Sequence, residues 1–593
     1  WRPIGMLRMA ATTLAMLLVV VVFQPGRPDA LVYRTFFGGS GEAAVRETFF
    51  SVGRSSTILL TENSSRFDLA SNGLPEAQIE FRGAPPIVLS QRWLGQWPGV
   101  LRPESTSMLV VGLGGGVVLE GVPSDIETLH VVELEPEVVA ANRLIGPRRY
   151  VDPLARKATH IALNDARNAL RLTDRSYDAI VSQPSHPWTA GASHLFTREF
   201  FALVKQRLAS DGLFVQWMNA EFLDEALLRR LVATLLAEFE YVRVYQPSSL
   251  ALHFIASNQP FGGEESAEAS AMLLVDETGA GALAGTFEPV TDDDNRMAMD
   301  SNVQAAGLGV SSLAKIIAPM DALLDIDGRV RASLTDRELL YVAARLLYDN
   351  QEYRTRRLAE SVEGSSPGHL LHAMVARHQG QVTRARQLLA LVPADDALAD
   401  VAHFLEIADY VPQVTACPAS RDTDVGTRFD AILEGWCAFD ESDWERLASL
   451  EPRLRETEKT DLWAPHATWL RAAWRLHDND RPVTREALAL IDGTVDYWST
   501  PALYAQRAQA AATLGYEWHY VESVAFFVQS INNRLWELDF RSEYLPADEA
   551  RWVNEQLESF VARMIRQDPA EVAGRTTVVL TQVRELQEYL ANY

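Results

Sequence analysis

The sequence predicts an α/β domain with a mostly parallel sheet, a small antiparallel β-domain before it and an all-helical half behind it. Three observations predict this. Short apolar runs alternate with amphipathic stretches up to about residue 256, the pattern of a parallel sheet with crossover helices. A glycine run, Gly112-Leu113-Gly114-Gly115-Gly116, follows the first of those runs. After about Ser312 the chain reads as helix after helix, rich in Ala, Leu and aromatics. The 593 residues leave room for about three to five domains. A composition 47% hydrophobic and 22% charged excludes a mainly disordered or collagen-like chain. Two cysteines, Cys417 and Cys437, exclude a disulfide-stapled scaffold and a Cys-rich zinc module. They leave the redox compartment open, a reducing one being the simpler reading. The net charge of −25 argues against general nucleic-acid binding, which needs clustered Lys and Arg.

The elements follow in chain order. Trp1 in place of Met predicts a fragment or a processed product. Met9 to Phe23 is apolar and uncharged, 15 residues against the roughly 20 that span a bilayer. Two readings stay open: a signal peptide starting at Met6, and a membrane helix within residues 1–30, the one carried forward. Residues 31–100 read as the β-domain, with Asn72-Gly73 as a hairpin turn. Residues 101–305 read as the α/β domain, with strands at Met108–Val111, His130–Glu133, Thr159–Leu163, Ala179–Val181 and Leu213–Trp217. Helices are predicted at Phe196–Leu208 and Leu227–Phe239. Gly262 to Gly285 reads as a loop or linker. Residues 306–593 pair into helix–turn–helix units at His369–Leu391, Ala467–Ile491 and Ala502–Ile531, which resemble a tetratricopeptide-like repeat array. An irregular bundle is the other reading.

The chemistry begins at the glycine run. Strand, glycine turn, helix and a second strand ending in Glu133, 21 residues after Gly112, form a nucleoside-binding pattern. An acidic side chain at that tip can accept both hydroxyl protons of a ribose. Val117 breaks the dinucleotide spacing G-x-G-x-x-G. The spacing present, Gly112, Gly114 and Gly116, resembles the loop of S-adenosylmethionine-dependent methyltransferases, a Rossmann-like fold. The third strand runs into Asp165-Ala166, where Asp165 could bond an adenine amine or cap a helix.

At the fourth strand, Tyr177-Asp178-Ala179-Ile180-Val181-Ser182-Gln183-Pro184-Ser185-His186-Pro187-Trp188 and the following Ala190 to Phe200 resemble the spermidine synthase (polyamine aminopropyltransferase) family. Arg34 to Gly38, Asn72-Gly73, Leu208 to Trp217 and Thr291 to Asn295 extend the resemblance over about 32–300. It is nearest to bacterial members fused behind a transporter-like membrane domain. The resemblance implies aminopropyl transfer from decarboxylated S-adenosylmethionine to an amine, with S-adenosylmethionine itself as the other donor and no metal. It implies that Gly112, Gly114, Gly116, Glu133, Asp165 and Ala166 hold the nucleoside, and that Gln183, His186 and Tyr177 line the acceptor end. It also implies a homodimer, and a place at the bacterial inner membrane with the soluble domains in the cytoplasm, where the donor is made.

The acceptor end departs from the family. The proton-accepting carboxylate position is Gln183, the second acidic position of that loop is His186, and the acidic position of the glycine loop is Gly115. An amide takes no proton at neutral pH, whereas an imidazole can. Three readings follow: His186 is the base; the acceptor or the transferred group differs; or the domain is a non-catalytic scaffold whose helical half docks a protein partner. Asp292 to Asp294 read as an acidic surface loop, and the many Trp residues after 430 as helix core.

Overall fold

The computed structural model describes residues 46–591 except 63–65, 81–88, 150, 190, 249–250, 263–268, 270–271, 306–333, 349–351, 380, 408–429, 457–462, 478–479, 496–499, 541–544, 546 and 567–572. Strands β1 (Arg46–Val52), β2 (Thr57–Glu62), β3 (Arg66–Ser71) and β4 (Leu74–Glu80) form an antiparallel sheet in sequential order. Asn72 and Gly73 make the β3–β4 turn with φ of 51° and 78°, the left-handed geometry of a two-residue hairpin. Helix α1 (Leu89–Leu101) leads into the second sheet.

That sheet contains β5 (Ser107–Val111), β6 (Thr128–Glu133), β7 (Thr159–Leu163), β8 (Tyr177–Ser182), β9 (Leu208–Asn219), β10 (Tyr241–Ser248), β11 (Ala251–Ser257) and β12 (Leu273–Val275). Its spatial order is β12-β10-β11-β9-β8-β5-β6-β7. The pairs among β5 to β9 are parallel, and the pairs from β9 through β11 and β10 to β12 are antiparallel. This is a Rossmann-like α/β sheet with an antiparallel edge. Chain order reverses at β5, with β6 on one side and β8 on the other, and ligands of such sheets bind outside the carboxyl ends at that point. Helices α2 (Val117–Glu120), α3 (Pro136–Ile145), α4 (Ala166–Leu172), α5 (Arg198–Arg207) and α6 (Glu225–Leu236) complete the crossovers. Asp165 and Asp224 cap α4 and α6 by accepting from the backbone N–H of Asn168 and Leu227.

Two expectations are corrected. The segment from Gly262 to Gly285 is not all linker: β12 pairs with β10, and a helix follows over Glu277–Ala284. Asp276 caps that helix, and its Ala280 and Leu283 are buried, which offsets the glycines inside it. The second correction concerns the membrane. No helix among the described residues is long and apolar enough to cross one. On that finding the membrane-protein and inner-membrane expectation does not stand. The expected helix over 1–30 and the resembling Arg34 to Gly38 lie outside the described residues.

The C-terminal half is helical, and its consecutive helices pack on one another, as at Ser366–His378 with Val382–Leu389 and Pro501–Leu514 with Glu517–Phe540. Trp436, Trp463 and Trp469 are buried there; Trp436 stacks on Trp469 at 4.7 Å and donates to His466 Nδ1 at 3.2 Å. Cys437 is disulfide-bonded, against the simpler reducing reading of the cysteine pair; Cys417 lies outside the described residues.

A chain of buried charge joins the two sheets beneath the glycine run. Arg92 on α1 donates to Glu80 of β4 at 2.9 Å and to Glu120 of α2 at 2.5 Å. Arg149 donates to Glu120 at 2.6 Å and to Asn142 Oδ1 at 2.7 Å. Asn142 Nδ2 donates to the carbonyl of Gly114 at 2.7 Å. Breaking a buried pair from one side leaves an uncompensated charge. Glu120→Gln is therefore expected to cost about 3–5 kcal/mol, read as a lower denaturation midpoint.

Behind the sheet, His253 of β11 is fully buried and accepts from Trp97 Nε1 at 2.8 Å. Burial pushes its imidazole down to about 3. The unfolded chain takes this proton first, near pH 6.5, so the stabilisation is complete above that pH and is lost as pH falls toward 3. Unfolding free energies from urea titrations at pH 7 and pH 5 are expected to differ in the wild type by about 2 kcal/mol for this one proton, and by less in His253→Gln.

Candidate functional site

The carboxyl ends of β5, β6, β7 and β8 lie level. Gly112 N donates to Val132 O at 2.9 Å, Asn164 N to Glu133 O at 3.0 Å, and Gln183 N to Val111 O at 3.0 Å. The sheet thus gathers Gly112–Gly116, Glu133, Asp165 and Gln183 on one edge. Gly112 has φ of 89°, and a Cβ there would stand 2.7 Å from Gln183 O, so the glycine turn and the β8 loop touch through backbone alone. At Gly114 a Cβ would meet nothing within 4 Å, which leaves the loop open to a ligand on that side.

Glu133 closes the loop. Its Oε2 accepts from Leu113 N at 2.8 Å and its Oε1 from Glu135 N at 2.9 Å. Burial pushes its carboxyl up, against backbone N–H groups of Glu135, Leu113, Leu134 and Gly114 that favour the charged form. Each carboxylate oxygen keeps a second lone pair, the acceptor set a ribose diol requires. These residues therefore fit a nucleoside. Asp165 is spent as the α4 cap yet remains exposed, and Ala166 is buried behind it. The neighbouring Glu135 holds the small sheet: it accepts from Ser55 N at 2.7 Å and Arg54 N at 3.0 Å, and from the Ser55 hydroxyl.

At the acceptor end, His186 is buried against Trp188 and Phe222, with ring centroids at 5.0 and 5.1 Å, and Trp188 meets Phe222 at 4.7 Å. A carboxylate reaches this loop from β4. Ser185 Oγ donates to Glu76 Oε1 at 2.5 Å, and His186 Nδ1 lies 3.8 Å from the same oxygen. Ser185 Oγ also lies 3.5 Å from His186 Nδ1. Serine and carboxylate both address Nδ1, so this is not a nucleophile–base–orienter relay, which needs them on opposite ring nitrogens.

Tyr177 does not reach the acceptor end. It opens β8, five residues or roughly 17 Å along the strand from Ser182, and pairs there with His130 Nδ1 at 2.8 Å. Asp292 is committed to Arg167, at 2.7 and 2.6 Å, and to Thr197 at 2.8 Å. The Arg167 guanidinium holds its carboxyl well below the usual range.

Residues 88–248 match the family model of the spermine/spermidine synthase domain. The chain carries a spermidine synthase-like domain. Over 155 residues it is 33% identical to a polyamine aminopropyltransferase of Moorella thermoacetica, covering 24% of this chain and 50% of that one. Over 153 residues it is 31% identical to one of Lachnospira eligens, covering 25% and 53%. The chain spans about half the length of these curated relatives. A spermidine synthase crystallised with the transition-state analogue AdoDATO aligns at 18% identity and a TM-score of 0.34, over 46% of this chain and 89% of that one.

Two features of this spermidine synthase-like site escaped sequence reading. One is Glu76, over 100 positions before the loop it meets. The other is the reason for Gly115: a Cβ there would stand 2.5 Å from Ala77 Cβ and 2.9 Å from Ile79 Cγ1, so β4 occupies the space an acidic side chain would need. Gly115→Asp is expected to cost about 1–3 kcal/mol by overpacking. Adding Ala77→Gly should recover part of it, and a double-mutant cycle on denaturation midpoints measures the coupling.

Proposed function

We propose that the α/β domain transfers an aminopropyl group from decarboxylated S-adenosylmethionine to an amine. The observation that carries this reading is the closed glycine turn, with Glu133 bonded to the N–H of Leu113 and the β8 loop abutting Gly112. In this reading Glu133 accepts the ribose hydroxyls, the open side of Gly114 admits the nucleoside and Asp165 faces the adenine amine. The bound donor supplies an electrophilic carbon on a sulfonium, and its leaving group is neutral methylthioadenosine. The protein's task is then to hold two reactants in line and to remove a proton from the amine. The aminopropyltransferase names of the curated relatives support this choice over methyl transfer.

A second reading is favoured by Gln183 and His186, which stand where the family places acid. There the domain is a non-catalytic spermidine synthase-like scaffold, and the tetratricopeptide-like half docks a protein partner.

Calorimetric titration of the full chain separates the two. Decarboxylated S-adenosylmethionine and methylthioadenosine are expected to bind in the micromolar range, with S-adenosylmethionine weaker, and Glu133→Ala should weaken binding at least tenfold. A folded protein that binds none of the three would rule out the transferase reading and leave the scaffold.

A further inference from the structure

We propose that Glu76, on β4 of the small sheet, is the carboxylate that holds the acceptor ammonium and takes its proton, replacing the acid absent from Gln183 and His186. The inference rests on the transferase reading above and adds to it the residue that holds the amine, with an aromatic wall beside it.

Three observations converge. First, β4 crosses directly over the glycine loop, since Ala77 and Ile79 fill the space at Gly115. Glu76, one residue before Ala77, points from that crossing to the β8 loop and meets Ser185 and His186. The strand therefore spans from the nucleoside loop to the acceptor loop. Second, Glu76 is the carboxylate that touches the loop 183–188 among the described residues. Among the described residues its contacts are made through Oε1, which leaves Oε2 for a ligand. Its side chain keeps 18% of its surface exposed and that of His186 keeps 11%, enough for an open face on an otherwise buried pair. Third, Trp188 and Phe222 stand against the ring of His186, and aromatic faces attract a cation beside a carboxylate. Ser185, donating to Oε1, fixes the carboxylate in place.

The step balances. The acceptor ammonium gives one proton to Glu76, and the freed nitrogen lone pair attacks the carbon bonded to sulfur. The new C–N bond forms as the C–S bond breaks, its electron pair leaving on the neutral thioether of methylthioadenosine. The product is a secondary ammonium once the nitrogen's charge is counted, and Glu76 returns its proton to solvent.

The test uses the full chain with methylthioadenosine present, titrated with 1,4-diaminobutane, 2-phenylethylamine and the uncharged 1,4-butanediol. At least one amine is expected to bind and the diol is not. Glu76→Gln, nearly the same shape, should weaken amine binding at least tenfold, with methylthioadenosine affinity within twofold of wild type. Glu76→Asp should retain part of it. In turnover with the decarboxylated donor, Glu76→Gln should raise KM for the amine and lower kcat together, whereas loss of folded enzyme lowers kcat alone. Trp188→Ala, which leaves the carboxylate untouched, should raise amine KM at least fivefold and serves if Glu76→Gln fails to fold. Amine binding unchanged in Glu76→Gln, or no amine binding by the wild type, would overturn the proposal. Failure of the transferase reading shows separately, as absent nucleoside binding by the wild type. Amine binding still abolished by Glu76→Gln would then assign the ammonium site alone.

Discussion

The buried run of charge from Glu80 through Arg92, Glu120 and Arg149 to Asn142 is the constraint on which the site depends. Each of these groups has left water, and that loss is offset only because each guanidinium meets carboxylate or amide oxygens at hydrogen-bond distance. Such pairs are poor sources of net stability but strong sources of position, because a displaced member leaves its partner buried and unpaired. Here the run starts at the last residue of β4 and ends on the carbonyl of Gly114. It registers the small sheet against the nucleoside loop. Glu135 makes a second tie, gripping the β1–β2 turn through Ser55, where burial of its carboxyl is outweighed by the bonds it accepts.

Register sets both the crowding at Gly115 and the contact of Glu76 with the β8 loop. With β4 held over the loop, a side chain at position 115 would run into Ala77 and Ile79. The same placement brings Glu76 onto Ser185 and His186, the loop from which acid is missing. A carboxylate thus stands on the strand that crosses both loops. Gln183 in turn contributes backbone to the glycine turn, packing its carbonyl against Gly112. That contact requires glycine at 112 and makes no demand on the side chain at 183.

What was legible in the sequence followed from local physics. The short apolar runs put five parallel strands within a few residues of most of their observed ends, Asn72-Gly73 specified its hairpin, and Asp165 capped a helix as its side chain permits. What failed was tertiary. The resemblance puts Tyr177 at the acceptor end, yet a strand carries its first and last residues to opposite edges of the sheet. Glu76 carried no local signal, since a Glu on a short antiparallel strand is usually solvated; only the crossing of β4 over the glycine turn places it. Between Gly262 and Gly285 small residues suggested a linker, and the pairing of β12 with β10 overrode that composition.

The helical half bears on how the two functional readings differ. It is packed onto the sheet: Arg354 is buried and donates to Leu273 O of β12 at 3.3 Å, and one continuous apolar core joins Met272 to Leu339 and Leu340. An outermost strand presents unpaired backbone groups, and covering it removes a route to strand addition. Part of the helical surface is therefore already used within the chain. It also carries buried charge, with Glu451 held down to about 2: burial opposes this, and the guanidinium groups of Arg475 and Arg471 outweigh it. Such packing suits both readings: a surface already ordered within the chain lowers the ordering cost of docking a partner. It equally braces the antiparallel edge whose neighbour β9 runs into Phe222, on the aromatic wall beside His186. Arg354 thus ties the helical half to the outer edge of the same sheet, which is reason to study catalysis and partner binding in the intact chain.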